Sequence, residues 1–253
     1  MFPNIYLILP SYGVMATIGL CVSMLFLYIR IEEVDMTLNH FLLYLIVGGV
    51  CLLAGSRILF VIGILPSLEN ISISVIGHYF LNGGIVFYGG MLGFVFGIII
   101  VAKCRKESSY KMLNFLAPAI PLFHGFARIG CLLAGCCYGI PCDFGVRMLQ
   151  SPDVIRFPVQ LLESFCDFII FIGILIYKKK GNSYAIEVYL ISYAICRFVL
   201  EFFRGDNIRG LWMGGISTSQ MISILIIGVV CVLRCKREYF CNTADEKKVE
   251  QNS

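Results

Sequence analysis

Long apolar stretches separated by short polar segments dominate this chain. They run approximately over residues 8–29, 40–64, 84–101, 114–133, 160–177, 184–203 and 216–233. Each comes close to the roughly 20 mostly apolar residues that a helix needs to cross a bilayer. The pattern therefore predicts an all-α, polytopic integral membrane protein with seven transmembrane helices. The third stretch is the shortest, and Pro118 and Pro121 predict a kink in the fourth. Residues 71–76 form an apolar run too brief to span, expected to lie along the interface. Residues 1–237 read as a single seven-helix domain, and the polar residues 238–253 as a frayed cytoplasmic tail. No internal repeat or second domain emerges. The first stretch has no basic residue before it, which argues against a cleavable signal peptide.

Composition places the chain in lipid. Of its 253 residues, 58% are apolar or aromatic and only 14% are charged, and the mean hydropathy is +0.85. A soluble domain carries about 25% charged residues. This excludes a disordered chain, a water-soluble enzyme and a nucleic-acid binder working through a broad basic face. The net charge of +4 is small, and its distribution says more than its sum. With the N-terminus outside, thirteen lysines and arginines fall on inner segments: Arg30, Lys103, Arg105, Lys106, Lys111, Lys178, Lys179, Lys180, Arg234, Lys236, Arg237, Lys247 and Lys248. Only Arg147, Arg156, Arg204 and Arg209 fall on outer ones. The positive-inside bias thus puts the N-terminus outside and the C-terminus in the cytoplasm.

The remaining three arginines, Arg57, Arg128 and Arg197, lie within the apolar stretches. Each costs about 2.5–3.5 kcal/mol at a helix centre on the insertion scale, so each calls for a reason. In this orientation all three belong to the outer half of the membrane, the level at which Tyr12 and Tyr88 begin their spans. Snorkelling to headgroups accounts for a single arginine near a helix end. Three of them, with tyrosines and an acid, fit a shared cationic pocket open to the outer leaflet. Tyr193, Arg197, Glu201 and Arg204 follow i, i+4, i+8, i+11 on one helical face, and Glu201 is placed to pair with Arg197. His124, Arg128 and Cys131 share a face of the fourth span. A purely structural ion pair and a packed histidine are the plainer readings of these sets. Arginines from two helices suit a phosphate, which they bind through forked, charge-assisted hydrogen bonds, and in a bilayer that phosphate is a phospholipid headgroup.

The glycines Gly89, Gly93 and Gly97 predict a small-xxx-small seam for close helix approach. Gly83-Gly84 and Gly89-Gly90 are expected to keep the intervening backbone irregular where it lines a cavity. A phosphate-binding glycine loop lacks its lysine and strand here. Most of the twelve cysteines lie in apolar runs and act as small hydrophobes. Cys131, Cys136, Cys137 and Cys142 cluster at the outer face. Their spacing contains no C-x2-C pair, a weak basis for zinc. Disulfides and inert thiols both stand as readings. No metal or cofactor is expected.

At these residues the sequence resembles the prolipoprotein diacylglyceryl transferase family of bacterial inner membranes, in order along nearly the whole chain. Ser11-Tyr12-Gly13 is similar to the family's tyrosine–glycine start of the first span, and Gly55-Ser56-Arg57 to its G-x-R. Phe87-Tyr88-Gly89-Gly90-Met91-Leu92-Gly93 resembles F-H-G-G-x-x-G. Ala117-Pro118 through Arg128-Ile129-Gly130 to Gly139 resembles the signature block beginning G-R-x-G-N. Pro158-Val159-Gln160-Leu161-Leu162-Glu163 resembles P-x-Q-L-Y-E, and the segment from Arg197 to Arg204 resembles R-F/Y-x-x-E-F-F-R. Departures fall at chemically important points. The family's histidine is Tyr88, its asparagine is Cys131 and its glutamate is Cys136, while Phe157 replaces a histidine that often precedes the proline.

The resemblance implies transfer of the diacylglyceryl group of phosphatidylglycerol to the cysteine thiol of a prolipoprotein signal peptide, in the bacterial plasma (inner) membrane, at a site facing the outer leaflet. It implies Arg128, Arg197 and Tyr88 as catalytic candidates, and His124, one turn from Arg128 on the same span, is added from its position. Tyr12, Arg57, Arg128, Gly139, Tyr193, Glu201 and Arg204 are the corresponding substrate-binding candidates. Tyr88 either orients lipid or thiol, or leaves some base function to His124. Two alternatives stay open: a non-catalytic lipid- or lipoprotein-binding relative, and a relative acting on another headgroup or acceptor.

Overall fold

The computed structural model describes residues 4–5, 9–65, 72–84, 86–148, 151–205 and 216–251. Helices account for most of them. Each predicted apolar stretch carries helix: α1 (Ser11–Ile29), α2 (Leu38–Ile64), α4 (Phe87–Arg105), α6 (Ala119–Ala134), α7 (Val159–Lys179), α8 (Ala185–Leu200) and α9 (Thr218–Gln251). Between them lie the short helices α3 (Ile73–Asn82) and α5 (Ser109–Leu116). Among the described residues, five segments are long and apolar enough to cross a membrane: Ser11–Ile29, Leu38–Ile64, Ser109–Ala134, Val159–Lys179 and Thr218–Cys235. Regular α-helix in α8 extends only 16 residues before a 3-10 turn, Glu201–Phe203.

The expected kink appears as a break. α5 ends at Leu116, and α6 restarts at Ala119 after Pro118, where a proline has no N–H for the helical ladder. The short apolar run of residues 71–76 extends into a longer helix, α3, with Ser72 capping the Val75 N–H. Residue 71 lies outside the described set. Helix α9 continues through most of the expected frayed tail, as far as Gln251. That stretch holds Glu246, Lys247, Lys248, Glu250 and Gln251, all good helix formers.

Surface and interior are reversed relative to a water-soluble protein. Ile46, Phe165 and Leu225 are each more than 60% exposed, whereas Ser56, Gln160, Glu163 and Glu201 are buried. Water would penalise such apolar helix faces; hydrocarbon does not.

The chain divides into two compact units, Leu27–Leu116 and Met1–Phe26 with Ala117–Ser253. In the first, α2 and α4 pack along the predicted glycine seam. A Cβ at Gly93 would sit 2.0 Å from the Cys51 carbonyl oxygen, and one at Gly55 2.4 Å from that of Gly89. Only glycine permits such backbone proximity. Gly83 and Gly84 are irregular, as expected, and they pack on the Phe60 ring, whereas Gly89 and Gly90 lie within helix α4. At one end of this unit Tyr44 donates to Glu107 at 2.7 Å, and Arg105 Nε donates to the same carboxylate at 3.0 Å.

In the second unit α1 packs on α6, with Phe26 edge-on to Phe171 of α7 at 5.3 Å and Ser23 donating to the Ala119 carbonyl. Helix α7 lies against α6, where Ser164 donates to the Gly125 carbonyl at 2.8 Å. Ala117, Ile174, Ala185 and Tyr189 form a buried apolar cluster. Two antiparallel pairs were not expected: β1 (Asn4–Ile5) with β2 (Leu9–Pro10), and β3 (Pro141–Met148) with β4 (Ser151–Arg156). The second is bulged, with Arg147 opposite Ile155 and Met148 opposite Ser151. Its short, uneven alternation gives little strand signal beside the helical runs.

Candidate functional site

One face of α7 builds the site. Gln160, Glu163, Ser164 and Asp167 follow i, i+3, i+4, i+7 and are all buried, each 5% exposed or less. Glu163 stands at the centre. Its Oε1 accepts from Arg197 Nη1 at 2.7 Å, and its Oε2 lies 2.9 Å from Arg128 Nε. The second terminal nitrogen of Arg197 reaches Glu201 Oε2 at 2.9 Å and Ser219 Oγ at 3.1 Å. Helices α6, α7, α8 and α9 thus meet at one guanidinium–carboxylate network. The Arg197–Glu201 pair expected from the i, i+4 spacing is present.

The network differs from the expected cationic pocket in charge. Two arginines face two carboxylates, because an arginine stripped of water is costly unless paired. Arg128, Glu163, Asp167, Tyr193, Cys196, Arg197 and Leu200 line a small cleft with room for about one water molecule. Glu163 and Asp167 were not singled out from the sequence as site residues. Their signal is the polar face of α7, masked by the surrounding apolar residues.

Other candidates take distinct places. Tyr193 lines the cleft and stacks on Tyr189 with ring centroids 5.7 Å apart. His124 packs against the far partners of that cleft wall: its ring is 5.4 Å from Tyr193, and its Nδ1 is 3.5 Å from the Tyr189 hydroxyl. It is not among the cleft-lining residues. Tyr12, in the first turn of α1, is 45% exposed, and its backbone packs on Gly130 of α6.

Gly139 and Arg204 are joined by backbone pairing. Gly139 donates to the Phe157 carbonyl, Ile140 to that of Phe203, and Gly205 to that of Tyr138. A Cβ at Gly139 would lie 2.4 Å from the Phe157 oxygen, so this glycine serves a three-stranded backbone crossing. Arg204 is held there, 8% exposed. Arg156 caps the same crossing, stacking over the Tyr138 ring at 4.2 Å.

Arg57 and Tyr88 belong to the Leu27–Leu116 unit. Arg57 lies on α2 close to the glycine seam, and its buried Nη1 has no hydrogen-bond partner among the described residues. Tyr88 is in the first turn of α4, and its side chain lies outside the described set, as does Arg209. Beside Arg128, Cys131, Cys136 and Cys137 draw together. Hydrogen bonds from Cys131 and Cys136, and then the charges of Arg128 and Arg204, hold the Cys137 thiol below the ordinary thiol range.

Fold and site together define a polytopic helical membrane protein organised around a buried arginine–carboxylate network. The profile described as prolipoprotein diacylglyceryl transferase matches residues 3–235. A phosphatidylglycerol--prolipoprotein diacylglyceryl transferase of Clostridium tetani is 31% identical over 87% of this chain and 90% of its own length. The protein described as phosphatidylglycerol--prolipoprotein diacylglyceryl transferase 2 of Clostridium perfringens is 34% identical over 86% of each chain. This chain belongs to the prolipoprotein diacylglyceryl transferase family.

Proposed function

We propose that this protein transfers the diacylglyceryl group of phosphatidylglycerol to the lipobox cysteine thiol of prolipoprotein signal peptides, and that it does so from seven spans with the N-terminus outside and the site facing the outer leaflet of the bacterial plasma membrane. The supporting observation is the Arg128–Glu163–Arg197 network, buried in a chain whose match to the family runs from residue 3 to residue 235. In the reaction a sulfur–carbon bond forms as the carbon–oxygen bond to phosphate breaks. The thiol proton passes to a base, and glycerol phosphate leaves.

The leaving group is anionic throughout, so its departure depends on positive charge fixed in advance. Glu163, Glu201 and Ser219 hold the Arg197 guanidinium in one orientation, while Arg128 turns its Nε to Glu163. In this reading Arg128 binds the phosphate with its terminal nitrogens, and Arg197 supplies a fixed charge. The narrow cleft calls for movement of Arg128 or Tyr193 as the headgroup enters. Tyr12, Arg57, Gly139, Tyr193, Glu201 and Arg204 complete the proposed substrate-binding set. Tyr88 orients lipid or thiol; His124, behind Tyr193, is the alternative base.

The test is transfer of labelled phosphatidylglycerol to a lipobox peptide by the purified protein. Arg197→Ala is expected to abolish turnover. If Tyr88→Phe and His124→Ala both retain full activity, neither residue is the base. A folded wild-type protein that binds phosphatidylglycerol but transfers nothing would favour the non-catalytic reading, for which the tyrosine at position 88 is the specific motive. A C-terminal tag protected in sealed inside-in vesicles tests the orientation; its exposure to external protease would reverse it.

A further inference from the structure

The sulfurs of Cys131, Cys136 and Cys137 all lie within 4.8 Å of one another, although their spacing in the chain contains no metal-binding pair. The end of α6 brings them together. Gly135 leaves the helix at φ 76 in the left-handed conformation, and the Gly135 and Cys136 N–H groups close on the carbonyls of Leu132 and Cys131. Cys137 then also takes a positive φ, 56, uncommon for a residue with a side chain. The chain doubles back over Cys131 in consequence. Gln160, fully buried on α7, donates to the Cys136 carbonyl at 2.7 Å and secures the turn.

Three thiols from a braced turn form a soft ligand set. Two sulfurs on one zinc ion, with Zn–S bonds of 2.3 Å, are about 3.8 Å apart. Contraction of about an ångström per pair, within the reach of side-chain rotation, would seat such an ion. Thiolate ligands select Cu(I) and Zn(II) over hard cations. Arg128, three residues before Cys131 on the same helix, places positive charge beside the negative charge of a three-thiolate centre. A disulfide would use only two of the three sulfurs and leave the third without a role.

We propose that Cys131, Cys136 and Cys137 form a binding site for a single thiophilic d10 cation, either trigonal Cu(I) or Zn(II) with an open fourth position. The ion ties the end of α6, which carries Arg128, to the turn that follows. Cys131 is buried while Cys136 is exposed, so the ion is reached from one side.

The test uses the full chain, purified in detergent and fully reduced. It is titrated separately with Zn(II), Cu(I) and Cd(II), with metal stoichiometry and thiolate-to-metal charge-transfer absorption as readouts. One equivalent per chain is expected, with an absorption intensity set by three thiolates. Cys136→Ser and Cys137→Ser should each weaken binding by at least the roughly 10–100-fold that loss of a supporting group alone costs. Cys21→Ser and Cys104→Ser should leave it unchanged. Cys136 is exposed, so its variant separates ligation from packing, and a thermal melt checks that it is folded. Absence of a bound equivalent in reduced protein would overturn the proposal. So would equal binding by wild type, Cys136→Ser and Cys137→Ser. These readouts do not involve transferase activity and stand apart from it.

Discussion

The α2–α4 seam and the α6–α7–α8 polar centre bury their contents in opposite ways. At the seam Gly55, Gly89 and Gly93 let backbones approach until a single methyl group would collide. At the polar centre, Arg128 and Arg197 are admitted only because Glu163 and Glu201 face them. In hydrocarbon the first arrangement depends on shape and the second on exact pairing of charge. Shape holds helices together, whereas a fixed charge can also act on a substrate. The seam is therefore scaffold, and the polar centre is where chemistry is expected.

Substitution should break the two regions differently. The largest effect is expected from Glu163→Ala, which leaves the part-buried guanidiniums of Arg128 and Arg197 without their shared partner; loss of one side of a fully buried pair costs about 3–5 kcal/mol, the upper bound here. A thermal melt in detergent would show it, and transfer activity should vanish with it. Next, Gly93→Ala places a Cβ 2.0 Å from the Cys51 oxygen. Overpacking of this kind costs about 1–3 kcal/mol or more. Gly49→Ala, with nothing within 4 Å of its added Cβ, is the control and should melt like wild type. Ser164→Ala removes one buried hydrogen bond to Gly125, an effect of about 0.5–1.5 kcal/mol.

The smallest effect concerns pH. Burial opposes the charge on Glu107, but the Tyr44 hydroxyl and Arg105 outweigh it and hold this carboxyl below its ordinary range. A lowered pKa in the fold contributes stability above the unfolded value and loses it as pH falls through the folded value. Glu107→Gln should therefore flatten the acidic limb of a stability–pH curve and leave the neutral region little changed. An unaltered acidic limb would remove Glu107 from the account.

Much of this was legible in the sequence, for physical reasons that differ by region. Apolar runs near membrane length located the helices, since hydrocarbon tolerates little else. The glycine spacing 89, 93, 97 announced the seam, and the spacing of Arg197 and Glu201 announced their pair. The α7 face was harder to read. Gln160, Glu163, Ser164 and Asp167 are scattered among apolar residues, and only the 100° helical turn collects them. The backbone crossing of Gly139, Phe157 and Arg204 joins segments far apart in the chain, and no local pattern encodes it. Nor could spacing reveal the convergence of Cys131 with Cys136 and Cys137, which depends on the left-handed residues Gly135 and Cys137 on either side of Cys136.

Whether Glu163 acts through the arginines it orients is tested by a double-mutant cycle in the phosphatidylglycerol transfer assay, comparing Glu163→Gln, Arg197→Lys and the double variant in folded protein. Strong coupling is expected: the double variant should lose little more activity than the worse single variant, because both changes disrupt one network. Losses that simply add would show the two residues acting independently and contradict the coupling.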